Sequence, residues 1–215
     1  MGLATSALRM GLGGIMAGHG LQKLAGKFGG PGLDGASQGF EAMGFKPGRQ
    51  FATAAGAAET VGGSLLATGL LTPFGAAMVT GVMTSAILKV HRKNGLWVTD
   101  GGMEYNLMII AAAFAVTEHG PGFPALDGLI TKRRKGIGWA LFELAVGVAA
   151  GVGVVALAER DQATSSLTMP GTSDSSSSAG PATDDSRVAT SGPAGEVPGT
   201  SDGTLLTSVP AGEQP

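Results

Sequence analysis

Long apolar runs, each broken by a few charged or imidazole side chains, fill most of the first 160 residues. The first run is Leu3–Ala25, interrupted by Arg9, His19 and Lys23. The second is Phe51–Leu71, interrupted by Glu59. The third is Phe74–Val90, with no charge before Lys89. The fourth is Met103–His119, and the fifth is Ile137–Leu157, interrupted by Glu143. A membrane-spanning helix needs about 20 mostly apolar residues, and all five runs meet or approach that length. A helix on the surface of a soluble protein carries a polar stripe, whereas these runs are apolar nearly all round. The pattern predicts an all-α, integral membrane protein with five spanning helices.

The runs are rich in small residues, among them Gly11, Gly13, Gly14, Ala17 and Gly18 in the first and Gly62 and Gly63 in the second. Interior Gly weakens a helix in water. In lipid, small residues let helix backbones approach closely. Gly14 and Gly18 form one small-xxx-small pair. Only Thr72-Pro73 separates the second and third runs, which predicts a tight hairpin. The first loop, Gly26–Gln50, is long and contains the turn cluster Gly29-Gly30-Pro31-Gly32. Its Phe40, Met43 and Phe45 are expected to lie along the membrane interface on a short helix. Trp97 and Tyr105 flank the third loop, where interfacial aromatics are common.

Composition divides the chain in two. The whole has 215 residues, 43% hydrophobic and only 14% charged, with 38 Gly, no Cys and a net charge of −2. A typical soluble domain is about 25% charged. Residues 161–215 hold Asp161, Asp174, Asp184, Asp185, Glu196, Asp202 and Glu213 against the single base Arg187. The acidity therefore belongs to the C-terminal part, and the first 160 residues are net basic. No aromatic residue follows Phe142. A Ser/Thr/Gly/Pro/Asp-rich segment of this kind buries too little apolar surface to offset the entropy of ordering. The expected organisation is a four-helix membrane bundle over 1–127, a basic loop and fifth transmembrane helix over 128–158, and a disordered tail over 159–215.

The absence of Cys excludes thiol catalysis, disulfides and Cys-ligated metal. No Glu-x-x-His pair exists for a di-iron bundle. The segment Gly20…Gly26-Lys27-Phe28 fails the phosphate-loop spacing. No metal site is expected. Ionisable residues inside a membrane are costly, so each is a functional candidate. His19, Lys23, Glu59, His91, Glu104 and Tyr105 all fall on the same side of the bundle once the helices alternate in direction. They form a candidate polar pocket, with Glu59 about 12 Å into its helix at 1.5 Å per residue. Structural pairing of Glu59 with His19 or Lys23 and a ligand-binding pocket are equally consistent with this pattern. On the opposite side, Arg9 and Glu118 are expected to form an interhelical ion pair. Glu143 is a buried partner or faces a protein contact.

Lys132, Arg133, Arg134 and Lys135 form the densest basic run and abut the fifth helix. Short interfacial runs of this kind fit anionic lipid, not nucleic acid. That run favours an inside N-terminus, whereas the total of basic residues on each side favours the reverse, so the orientation stays open.

The residues Leu8-Arg9 with Gly11, His19-Gly20-Leu21-Gln22-Lys23-Leu24, Phe28-Gly29-Gly30, Glu59 with Gly62-Gly63, and Gly69-Leu70-Leu71-Thr72 resemble the DoxX family of small bacterial membrane proteins. His91, Gly101-Gly102 with Glu104, and Gly120-Pro121-Gly122 extend the resemblance to about residues 2–127. It implies a four-helix bundle in the bacterial plasma membrane. It also implies membership of quinone-coupled redox or oxidative-stress assemblies, with redox-enzyme partner proteins and no catalysis by the subunit itself. Two alternatives remain beside it. One is a quinone-reactive oxidoreductase subunit using the His/Lys/Glu pocket, with quinone as its candidate cofactor. The other is a carrier for a small solute or ion. The fifth helix and the tail lie outside the resemblance.

Overall fold

The structure is a computed structural model that describes residues 2–130 and 132–167. Among these, six α-helices occur and no strand. They are α1 (Leu3–Ala25), α2 (Gly32–Ala42), α3 (Gly48–Thr68), α4 (Thr72–Ala86), α5 (Glu104–His119) and α6 (Ile137–Leu167). Two helical stretches are long and apolar enough to cross a membrane: Thr72–Asn94, where α4 continues through a π turn, and Ile137–Ala163. Their mean hydropathies are 1.4 and 2.2. With 16 residues, α5 falls short of the usual span.

Neighbours in space follow neighbours in sequence for most of the fold. Helix α1 packs on α3, α3 on α4, α4 on α5, and α5 returns to α1. This closed ring surrounds an apolar centre of Met16, Leu66, Ala76, Val79, Met83, Ile109, Ala113 and Val116. Helix α6 lies against α4 and α5. Its far end reaches the short α2, where Val155 and Ala158 bury Phe45 beside Phe40, Phe51 and Leu88. Phe45 is therefore a core residue, not an interfacial one. The three aromatic rings stack at 5.5 and 5.2 Å between centroids, which draws Phe45 inward.

Small residues set the helix spacing, though not the pair expected. A Cβ on Gly13 would lie 2.3 Å from the Ala67 backbone nitrogen, and one on Gly63 would lie 2.4 Å from that of Ala17. A Cβ on Gly20 would lie 2.5 Å from the Gly56 carbonyl. The α1–α3 seam is thus built on Gly13, Gly20, Gly56 and Gly63. Gly14 and Gly18 point to open space, because they sit on the opposite face of α1.

The hairpin between α3 and α4 is as tight as the sequence predicts. Gly69 ends α3 in the left-handed region at φ 65°, and Pro73 opens α4, where its missing N–H is harmless. The segment expected to form the tail, 159–215, lies outside the described residues except at its start. There α6 continues to Leu167. Glu159 pairs with Lys89 of the π turn at 3.1 Å, and Gln162 donates to the carbonyl of Gly44, just after α2, so contacts hold the helix past residue 158.

Candidate functional site

The seam of α1 and α3 brings Lys23 to Glu59. Lys23 sits in the last turn of α1 and Glu59 midway along α3, and the Gly20–Gly56 contact holds the two helices close enough for the side chains to meet. The Lys23 ammonium donates to Glu59 Oε2 at 2.7 Å. The Glu59 side chain is 4% exposed and that of Lys23 is 25% exposed. The carboxylate is therefore buried and its cation reaches it from the rim.

The remaining candidates are held locally. His19 is exposed, and its Nδ1 lies 3.0 Å from Gln22 Oε1, one turn on. His91 donates from Nδ1 to the Gly101 carbonyl at 2.7 Å, and Asn94 donates to the same oxygen at 3.3 Å. Glu104 accepts from the Val98 backbone N–H at 3.0 Å, closing the loop that precedes α5. Tyr105 is exposed. The six residues thus divide into the Lys23–Glu59 pair, the His19–Gln22 contact and a hydrogen-bonded loop around Gly101. A cavity of about 530 Å³ is lined mostly by apolar side chains, including Phe40, Phe45, Phe51 and Leu157, and by none of the six.

At the other end of the fold, Arg9 is 1% exposed and serves four carbonyls. Nε donates to Pro121 at 2.8 Å, Nη1 to Leu66 at 2.7 Å and Ala67 at 2.5 Å, and Nη2 to Pro124 at 2.6 Å. Two of these carbonyls, Leu66 and Ala67, lie in the last turn of α3, where the helical ladder runs out, and that of Leu66 also accepts the Gly69 N–H at 3.0 Å. The expected ion pair between Arg9 and Glu118 does not form. Glu118 Oε2 instead meets His119 Nδ1 at 2.5 Å. The acid whose charge acts on Arg9 is Asp127. Asp127 is itself buried and caps α4, accepting from the backbone N–H groups of Leu71 at 3.0 Å and Thr72 at 3.2 Å, and from the Thr72 hydroxyl at 3.1 Å. Asp127 was not among the sequence candidates.

The basic run lies beside aromatic rings. The Arg134 guanidinium stands 5.9 Å from the Phe74 ring centroid and 5.8 Å from that of Trp139. Lys135 lines a shallow cavity with Phe74, Trp139 and Phe142.

Comparison with known families bears on the first part of this architecture. The DoxX family model matches residues 4–92. Over that segment the chain is similar to the DoxX family. The DoxX match covers α1 to α4 and contains the Lys23–Glu59 pair, Arg9 and His91. The residues further along that also resemble the family, Gly101-Gly102, Glu104 and Gly120-Pro121-Gly122, lie beyond it. Helices α5 and α6 are likewise outside it. No curated protein and no solved structure matches the chain. The DoxX match and the two candidate spans support a membrane protein, which would contact the lipid bilayer.

Proposed function

We propose that the protein is a multi-pass subunit of the bacterial plasma membrane that anchors or organises a redox or oxidative-stress complex, without catalytic chemistry of its own. The observation that carries this reading is the state of the candidate polar residues. Lys23 and Glu59 satisfy each other at 2.7 Å, while His91 and Glu104 are engaged by loop backbone groups. Side chains committed in this way build a scaffold. The ring of α1, α3, α4 and α5 with α6 outside it serves as the membrane body, with apolar side chains such as Ile15, Leu141 and Val152 turned outward.

A quinone does not fit the six residues as arranged. Its head group needs hydrogen-bonding groups that face a cavity, and these side chains are distributed over separate contacts, outside the cavities lined by Phe45 and by Trp139. A carrier needs a polar route, and the centre of the ring is filled by Met16, Leu66, Val79 and Ile109. In the basic run Lys132, Arg133, Arg134 and Lys135, the last two lie next to Phe74, Trp139 and Phe142, an aromatic and basic belt suited to anionic lipid headgroups.

Purification of the tagged full chain in mild detergent, followed by mass spectrometry of what accompanies it, tests the reading. Co-recovery of an oxidoreductase is expected. Recovery of the chain with no oxidoreductase, from cells in which it is expressed at its native level, would overturn it.

A further inference from the structure

The seam between α4 and α6 is as close as that between α1 and α3, and it contains a carboxyl group that the scaffold reading does not use. Helix α4 presents Thr80 and Thr84, one turn apart, to Gly147 and Gly151 of α6, also one turn apart. A Cβ on Gly147 would lie 2.6 Å from the Thr80 side chain, and one on Gly151 would lie 2.6 Å from the Gly81 carbonyl. Glu143 is one turn before Gly147 on the same face. It is fully buried. Its Oε2 accepts a hydrogen bond from the Thr80 hydroxyl at 3.2 Å, and its Oε1 has no partner. The Thr84 and Thr117 hydroxyls, on α4 and α5, are also buried without partners.

Among the described residues, no charged side chain pairs with Glu143. In the loop that leads into α6, Arg134 and Lys135 lie against the Phe74, Trp139 and Phe142 rings. Helix α4 has no titratable side chain between Thr72 and Ala86. On α5 the titratable groups are Glu104 and Tyr105 at its start and Glu118 and His119 at its end, and the half-buried Glu118 engages the exposed His119. On α6 the next are Glu159, Arg160 and Asp161, at the far end of the helix. An ionised carboxylate with one hydrogen bond and no counter-charge is among the costliest groups to bury. One carboxyl and one hydroxyl are also too few ligands for a hard metal cation, which takes about six oxygens.

We infer that Glu143 is a proton-binding site in the α4–α6 seam, carrying its proton at neutral pH. Helix α6 lies outside the DoxX match, so this site belongs to the junction between the family domain and the added helix. Proton loss would strand a charge against Thr80 and Gly147, which couples the seating of α6 on α4 to protonation. The burial that carries the inference is burial within the protein, so it stands independently of the proposed partner complex.

Infrared difference spectroscopy of the full chain against Glu143→Gln, in detergent micelles at neutral pH, reads the protonation state directly. The wild type should show the carbonyl stretch of a neutral carboxylic acid, and the variant should lose it. A pair of carboxylate stretches lost in its place would overturn the inference. If the variant does not fold, a hydrophobic carbodiimide, which consumes a protonated carboxyl and takes up its proton at nitrogen, gives a second reading on the wild type. Modification of Glu143 at neutral pH, at least about tenfold faster than by a water-soluble carbodiimide, is the expected result. Equal rates with the two reagents, or no modification of Glu143 in folded protein, would overturn the inference.

Discussion

Lys23 reaches Glu59 across the α1–α3 seam at 2.7 Å, and the two partners are unequally buried, 25% exposed against 4%. The inequality gives the pair a direction. If Glu59 is neutralised, Lys23 extends its ammonium toward solvent along its flexible stem. If Lys23 is removed, Glu59 cannot follow, because Gly20, Gly56 and Leu24 close the seam around α3.

Lys23→Met should therefore destabilise the protein more than Glu59→Gln. Breaking a buried pair costs about 3–5 kcal/mol, and the partial exposure of Lys23 lowers that to about 2–3 kcal/mol here. The double variant should be more stable than Lys23→Met alone, because no charge remains buried. Thermal unfolding in detergent, followed by circular dichroism, checks the order of the three. Equal losses for the two single variants would contradict this asymmetry.

Arg9→Lys should fail to preserve stability even though it keeps the charge. The guanidinium donates from three nitrogens to carbonyls on α3 and on the Pro121–Pro124 loop. A lysine ammonium is a compact donor on a flexible stem and lacks that fixed fork. Hydrogen bonds to charged groups contribute about 1.5–3 kcal/mol each, and acceptors left unpaired add to the loss. A drop in thermal midpoint of about 5 °C or more is expected, at roughly 2–4 °C per kcal/mol for a chain of this size. A Glu118→Gln variant should leave the midpoint nearly unchanged, since among the described residues Glu118 pairs with its exposed neighbour His119.

The contrast between Arg9 and Lys23 shows which parts of the molecule were legible in the sequence. The helices were legible because long apolar runs punctuated by Gly69, Pro73 and Gly120 carry their own start and stop signals. Lys23 and Glu59 were legible as members of one site, because alternating helices bring the end of α1 alongside the first half of the second apolar run, Phe51–Leu71. Arg9 was legible as a buried cation, but its partners are backbone carbonyls, and a carbonyl has no residue type to betray it. Asp127 was missed for a related reason. It caps a helix that starts 55 residues earlier, so no local capping pattern marks it. The Gly14–Gly18 spacing fitted a helix contact as well as Gly13 and Gly20 did. Only the rotation of α1, set by burial of Arg9, Gly13, Met16 and Gly20, decides which set faces α3.

Asp127→Ala should loosen the start of α4. The carboxylate takes two backbone N–H groups and the Thr72 hydroxyl, and loss of an N-terminal cap costs about 0.5–2 kcal/mol. The cost should reach the upper end because Arg9 loses its nearby acid as well. Asp127→Asn, which keeps an acceptor but not the charge, should recover part of the loss. Hydrogen exchange at Phe74 and Gly75, whose N–H groups bond back to Leu71, should quicken in both variants and more in Asp127→Ala. Unchanged exchange there would argue that the hairpin is held without Asp127.

Gly13→Ala and Gly14→Ala should have opposite consequences although the residues are adjacent. The new methyl at position 13 would sit 2.3 Å from the Ala67 nitrogen and 2.5 Å from the Gly63 carbonyl, both backbone atoms that no rotamer change can move. The α1–α3 seam must open, and overpacking of this kind costs about 1–3 kcal/mol. Separation of the helices also lengthens the Lys23–Glu59 contact, so Gly13→Ala should weaken the coupling energy between those two residues in a double-mutant cycle. At position 14 the methyl meets nothing within 4 Å. There Ala replaces Gly in a helix interior, a change that favours the helix by up to about 1 kcal/mol, and the cycle should be unaltered. Comparable destabilisation by the two substitutions would mean that the Gly14 face of α1 is also packed, and that the rotation of α1 described above does not hold in the folded protein.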